Sequence, residues 1–252
     1  MITIIHVNTE RTWRGGERQV FELVSRLPGD EFRSVVAAPF KSALMDRIRE
    51  SGIPAVPLRS TGELSLRQYF DLKQASEHFK ADLFHVHTSH GLVSAGCVRD
   101  RSRHPMHVVY SRRTDFHLRT GFLGISRRKY LWGADRIVSV SNAIKNVLIT
   151  DGIPADRITT VYSGIDLTRF DPEADGTPVR DELGIPPDAY VVGMVAALAP
   201  HKDPATYLRA AEIIGRMHPH VCFLLVGAGS LWEEISGLKH RSGLGDRFIM
   251  TG

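Results

Sequence analysis

The sequence predicts an α/β protein with two successive Rossmann-like parallel-sheet domains, the second incomplete. Three observations carry this. Short apolar runs alternate with 3.6-periodic segments along all 252 residues. The alternation breaks once, in a stretch rich in glycine and proline, and then resumes. After the break only three strand-like and two helical segments follow. Strand–helix–strand repetition implies parallel pairing through right-handed crossovers, with helices on both faces. Three strands are too few to cover both faces and both edges of an open sheet.

The elements follow in order. Strands are expected at 2–7, 34–38, 55–58, 83–87, 107–110, 137–140 and 158–162. Between them Val20, Leu23, Val24 and Leu27 repeat at i, i+3, i+4, i+7, and Ile144, Val147 and Leu148 do the same behind a Ser141 cap. Residues 163–188 hold Gly164, Gly176, Gly184 and four prolines, with a short helical pattern at 179–183. Beyond it come strands at 191–196, 221–226 and 247–250 and helices at 204–217 and 231–239. The division is therefore a first domain at 1–165, a connection at 166–188 and a partial second domain at 189–252.

Composition narrows the class. Hydrophobic residues make up 42% and charged residues 24%, which excludes disordered and collagen-like chains. Cys97 and Cys222, far apart in apolar surroundings, read as buried free thiols in a reducing compartment. The first residues lack a basic region and carry too short an apolar run for a signal peptide. The apolar stretch at 191–200 is too short to span a bilayer. A cytoplasmic location is expected. Residues 99–129 hold nine basic and two acidic side chains, a balance of +7 against +4 for the whole chain. This segment reads either as a solvated surface or as a face for phosphate, anionic lipid or nucleic acid, the lipid reading including peripheral contact at the inner face of a membrane. No nucleic-acid-binding motif accompanies it.

Five segments can carry chemistry. Arg14-Gly15-Gly16-Glu17 joins the first strand to a helix. Paired glycines there admit close approach of a ligand, and the helix N-terminus favours an anion; the alternative is a plain turn. The spacing is not the dinucleotide fingerprint. In the segment from Asp82 to His90, alternation puts His85 and His87 on one strand face, with His87 and His90 at or past its carboxyl end. Structural histidines rank first there, active-site histidines next and metal ligands last, because no zinc spacing is matched and no Cys or carboxylate completes a set. Ser111-Arg112-Arg113 follows the fifth strand and offers guanidinium forks for phosphate, or is an exposed loop. Lys202 lies near a helix N-terminus, where a cation opposes the dipole unless a bound anion offsets it. Gly227-Ala228-Gly229 forms a glycine turn between strand and helix.

Taken together, in order along the chain, these motifs resemble the retaining glycosyltransferases of family 4. Gly15-Gly16-Glu17-Arg18-Gln19-Val20 resembles the family's glycine loop and following helix, and His85-Val86-His87-Thr88 its His-x-His strand end. Ser139-Val140-Ser141-Asn142-Ala143-Ile144 is similar to its Ser-rich turn. Val161-Tyr162-Ser163-Gly164-Ile165-Asp166 with Phe170-Asp171-Pro172 resembles its hinge, at Ser163 and Gly164. The segments 224–229 and 248–252 resemble the next two strand ends. The resemblance implies a GT-B fold with its active site between the domains, an acceptor held by the first and a nucleotide-diphosphate sugar by the second. It implies retention of anomeric configuration and no metal or other cofactor; no Asp-x-Asp triplet occurs. Gly15, Gly16, Lys202, Gly227 and Gly229 would bind the donor, and His87, His90, Arg112 and Arg113 are the candidates for catalysis. The acceptor would be a glycan or lipid-linked glycan, as in cell-envelope polysaccharide or lipopolysaccharide assembly. Three departures stand out. Ala197 occupies a position where the family commonly has arginine. Ser111-Arg112-Arg113 stands where a histidine is frequent. The family's glutamate pair, eight positions apart, is absent from these 252 residues. The alternatives are a non-catalytic binding fragment or another GT-B enzyme such as a sugar-nucleotide epimerase.

Overall fold

The computed structural model describes residues 1–118 and 124–252. Part of the basic stretch, 119–123, lies outside the described residues. The chain forms two compact units, Met1–Ile165 and Asp166–Gly252.

The first unit holds strands β1 (Ile2–Val7), β2 (Phe32–Pro39), β3 (Ala55–Leu58), β4 (Leu83–Val86), β5 (His107–Arg112), β6 (Arg136–Ser139) and β7 (Ile158–Thr160). All pair in parallel, in the order β3-β2-β1-β4-β5-β6-β7. The helices between them are α1 (Gly15–Arg26), α2 (Ala43–Glu50), α3 (Leu66–Phe79), α4 (Ser89–Arg101), α5 (Ile125–Gly133) and α6 (Asn142–Thr150). Ser42, Ser65 and the expected Ser141 each accept a backbone N–H at the start of α2, α3 and α6. These bonds satisfy donors that a helix leaves open at its first turn.

Strand β2 shows why both faces are covered. Val36 and Ala38 pack with Val20 and Val24 of α1 and Leu44, Met45 and Ile48 of α2. Val35 and Ala37 point the other way and join Leu72 and Ala75 of α3 and Leu92, Ala95 and Val98 of α4. A continuous apolar run is thus what a doubly covered strand requires. The strand order reverses between β1 and β4, so α1 and α4 leave on opposite faces and open a crevice at the carboxyl ends of these two strands. The packing there is tight. A Cβ at Gly91, in the first turn of α4, would lie 2.9 Å from Val7 Cγ1 and 3.2 Å from Val86 Cγ1.

In the second unit β8 (Tyr190–Val195), β9 (Val221–Val226) and β10 (Phe248–Thr251) form a parallel sheet in the order β10-β9-β8. Helices α8 (Pro204–Met217) and α9 (Trp232–Arg241) cover Phe223, Leu225 and Phe248 through Leu208, Ala211 and Ile235. The Tyr207 hydroxyl of α8 donates to the Val192 carbonyl at 2.7 Å and approaches that of Leu224 at 3.3 Å, and burial pushes its pKa up to about 12. Helix α7 (Thr177–Leu183) lies within the stretch read as a connection, and Leu183 and Ile185 pack beside Cys222 and Ile249. Cys222 is buried as expected. Cys97 is only partly so, because it sits on the α4 surface rather than under it.

Replacing Gly91 by alanine forces Val7 and Val86 apart. The expected cost is about 1–3 kcal/mol, read as a lower urea midpoint with an unchanged denaturant slope.

Candidate functional site

The crevice at β1 and β4 is lined by polar groups that the sheet register brings together. His6 of β1 is the neighbour of His85 in the parallel pairing, and His87 follows two residues later on the same face. The three rings form a cluster with centroids 4.0–5.5 Å apart. His6 Nδ1 and His87 Nε2 are 3.2 Å apart, and His85 Nε2 meets Ser111 Oγ at 2.8 Å. Burial is the largest influence on all three and holds them neutral. His85 is lowered to about 4, with Arg113 adding to the effect. His6 and His87 are lowered well below the ordinary histidine value, with His85 adding to both. His6 is the member that sequence reasoning missed, since one polar residue in an apolar strand reads as core.

The loop after β1 is held by side chains. Asn8 donates to Glu17 Oε1 at 3.2 Å and accepts from Glu10 N at 2.8 Å, while Glu17 Oε2 accepts from Arg14 N at 3.0 Å. Glu17 is buried, which fixes the entry into α1 and hence the glycine pair. Thr9 and Thr88 hydroxyls join the ends of β1 and β4 at 2.7 Å. A Cβ at Gly15 would meet nothing within 4 Å, and one at Gly16 only Arg113 Nη1 at 3.6 Å. The protein's own packing therefore imposes no need for glycine at either position.

The two adjacent arginines have different roles. Arg112 closes β5 and is buried. Its Nε donates to the Thr114 carbonyl at 2.9 Å, Nη1 to Tyr130 at 2.7 Å and Nη2 to the Phe116 carbonyl at 2.5 Å. This guanidinium is thus committed to the loop after β5 and to Tyr130. Arg113 points into the crevice. It donates from Nη1 to the Gly16 carbonyl at 2.7 Å and from Nη2 to His87 Nδ1 at 3.3 Å, and its buried Nε has no partner among the described residues. Burial lowers the Arg113 pKa from its ordinary value, and the nearby Glu17 carboxylate opposes that shift. His87, Arg113 and Gly16 are thus brought together in one place. His90 is exposed in the first turn of α4, where its carbonyl accepts from Gln68. Ser163 and Gly164 are exposed, and the Gly164 carbonyl accepts from Gln19 Nε2 of α1 at 2.8 Å.

In the second unit the glycine turn has a structural cause. A Cβ at Gly227, whose φ is +133°, would lie 2.1 Å from the Ala196 carbonyl oxygen, and one at Gly229 2.4 Å from that of Leu198. These glycines let the loops after β8 and β9 pack backbone to backbone, with Leu198 N bonded to the Ala228 carbonyl. Lys202 is exposed in a 3-10 turn, and its ammonium makes no hydrogen bond or ion pair among the described residues. Asp203 follows it and caps α8, so the helix terminus meets an acidic neighbour before the lysine.

The basic stretch is largely committed internally. Arg99 pairs with Asp100 and Asp135, and Lys129 with Glu63 at 2.6 Å. With Arg112 and Arg113 turned inward, Arg101, Arg103, Arg127 and Arg128 remain exposed.

With this geometry in view, the comparison with known proteins is specific. The family model for Glycosyltransferase Family 4 matches residues 13–169. The chain belongs to this family. A D-inositol 3-phosphate glycosyltransferase of Nocardia farcinica is 27% identical over 239 residues, covering 86% of this chain and 50% of that protein. The UDP-Gal:alpha-D-GlcNAc-diphosphoundecaprenol alpha-1,3-galactosyltransferase of Escherichia coli is 22% identical over 250 residues, covering 93% and 64%. The present family 4 chain thus spans about half to two thirds of these relatives. Among solved structures, Anabaena HepE in complex with UDP superposes with a TM-score of 0.78 at 20% identity, covering 100% of this chain and 70% of that one. The expected GT-B type of fold is borne out.

The buried histidines make stability depend on pH with a definite sign. Their folded pKa values lie below the unfolded value of about 6.5, so the unfolded chain binds more protons as pH falls. Their contribution is complete above pH 6.5 and is lost on the way down towards pH 4. Each costs up to about 1.4 kcal/mol per pH unit in that window. The urea midpoint of the first unit should fall between pH 7 and 5.5, and His6→Asn should make that fall shallower.

Proposed function

We propose that this protein transfers a glycosyl group from a nucleotide-diphosphate sugar to a glycan or lipid-linked acceptor, with retention of anomeric configuration. The observation that carries the reading is the open glycine pair beside Arg113. Gly15 and Gly16 begin a helix at the point where strand order reverses, with free space over their Cα atoms and a guanidinium at hand. Such a place accepts a phosphate group. Negative charge grows on the departing diphosphate as the glycosidic bond breaks. Fixed positive groups lower the barrier by meeting that charge. Arg113 and the α1 N-terminus supply them in the first unit; in the second unit Lys202, without an ion pair among the described residues, is a separate candidate for a phosphate contact. Protein cations fill the part a metal ion plays elsewhere, so the reading calls for none.

Membership in family 4 supports retention. The UDP bound in Anabaena HepE supports a uridine nucleotide, and the diphosphoundecaprenol acceptor named for the Escherichia coli relative supports a lipid-linked acceptor in cell-envelope assembly. A cytoplasmic enzyme with peripheral contact at an anionic membrane is consistent with the exposed Arg101, Arg103, Arg127 and Arg128. Among the described residues no helix is long and apolar enough to cross a membrane.

Calorimetry with UDP-, GDP- and ADP-sugars tests the donor site. One nucleotide should saturate the protein, and Lys202→Ala should weaken it about 10- to 100-fold, as for a lost charge-assisted contact. Gly15→Ala should abolish binding without lowering the thermal midpoint; Gly227→Ala is no such probe, because its backbone neighbour forbids a side chain. Binding indifferent to both Lys202→Ala and Gly15→Ala would sink the reading. The membrane contact is tested by co-sedimentation with vesicles. Anionic vesicles should retain the protein at low salt, and a triple Arg101/Arg103/Arg128→Ser variant should lose that retention. Equal binding to neutral and anionic vesicles would remove this part.

A further inference from the structure

The buried histidine cluster has one arrangement of protons, and it bears on Arg113. A guanidinium has only donors. Arg113 Nη2 lies 3.3 Å from His87 Nδ1, so Nδ1 must be the bare nitrogen. A neutral imidazole has one bare and one protonated nitrogen, which puts the His87 proton on Nε2. That proton faces His6 Nδ1 at 3.2 Å, so His6 must accept there and carry its own proton on Nε2, towards Ser34 Oγ at 3.5 Å. A proton on His87 Nδ1 would set donor against donor at Arg113 and leave His6 facing a bare nitrogen. A cationic His87 would add like charge. We infer that His6, through His87, is a positioning residue for Arg113: by accepting the Nε2 proton it holds His87 in the one tautomer that receives the guanidinium.

The surroundings support this. The His85 ring lies 4.0 Å from that of His87, centroid to centroid and tilted by 38°, and is tied to Ser111, while the His6 ring stacks on His87 at 5.5 Å, so the His87 ring is held in place. Ring burial keeps all three neutral, as the chain of bonds demands. Arg113 is also fixed at Gly16, next to the open glycine pair. The other use of such a trio is a divalent metal, since one nitrogen of each ring lies within 4.8 Å of the others. The electrostatics oppose it. The Arg113 guanidinium already stands against His87, so a buried dication there would meet like charge at hydrogen-bond distance from one of its ligands.

The inference rests on the proposed role of Arg113, but the tautomer measurement that decides it needs no nucleotide. Long-range 1H–15N correlation spectra of the 15N-labelled chain at pH 7 report which imidazole nitrogen is protonated, and His87→Gln assigns the signals. His87 should show a bare Nδ1 and a protonated Nε2. Arg113→Met and His6→Phe should each turn this into a tautomer mixture. His6→Asn, whose Oδ1 stands near the lost Nδ1, should restore the single tautomer. In calorimetry His6→Phe should weaken nucleotide binding about tenfold, the scale of one hydrogen bond, and His6→Asn should not. A protonated Nδ1 in the parent protein overturns the inference, as does a tautomer unchanged in both Arg113→Met and His6→Phe. One equivalent of Co2+ bound with a tetrahedral spectrum and lost in His6→Asn also overturns it. If His6→Phe fails to fold, Arg113→Met and His6→Asn still decide. Should the tautomer stand and no nucleotide bind, the proposed function fails while the histidine chain remains.

Discussion

The parallel pairing of β1 with β4 is the constraint on which the first unit's chemistry depends. It is where strand order reverses, so it is the one place along the sheet where the following helices turn to opposite faces. The register sets His6 beside His85 and carries His87 to the rim. It also aligns Thr9 with Thr88, and Gly91 lets α4 lie close enough to seal the floor. A shift of one residue in this pairing would send the imidazoles to the other face and leave the guanidinium of Arg113 without its acceptor.

Polar groups in such a place are costly unless each finds a partner. Asn8, Glu17 and the Arg14 backbone satisfy one another at the mouth, and the histidines do so deeper in. Arg112 and Arg113 show how one strand end handles two adjacent cations. The first is enclosed by carbonyls and a tyrosine ring. The second retains a buried Nε–H with no acceptor among the described residues, while its Nη1 lies against Gly16. The two side chains thus differ in how fully the protein itself satisfies them.

The alternation of apolar runs and helical periods made the order of elements legible, because parallel strands buried on both faces are written as local apolar runs. Strand ends were less so. β5 runs on through Ser111 and Arg112, which read as loop because they are polar; their partners, His85 and Tyr130, are distant in sequence. β7 stops at Thr160, short of the apolar Val161 and Tyr162. At the site, the glycine pair and His87 were visible from their place after a strand. The division of labour between Arg112 and Arg113 was not, since it follows from which way β5 turns each side chain. His6 lacked any local mark, and only its neighbour across the sheet gives it meaning. Gly227 and Gly229 read as a ligand loop from the sequence, and the close backbone of the neighbouring strand end gives both a packing reason that the sequence does not show.

The bond from Gln19 to the Gly164 carbonyl reaches across 145 positions of sequence. It fastens the helix that begins with the glycine pair to the last residues of the first unit. The chain leaving that unit is therefore not a free tether. Gln19 lies in the second turn of α1, so order at the start of that helix and order in the backbone at Gly164 are shared through one exposed bond.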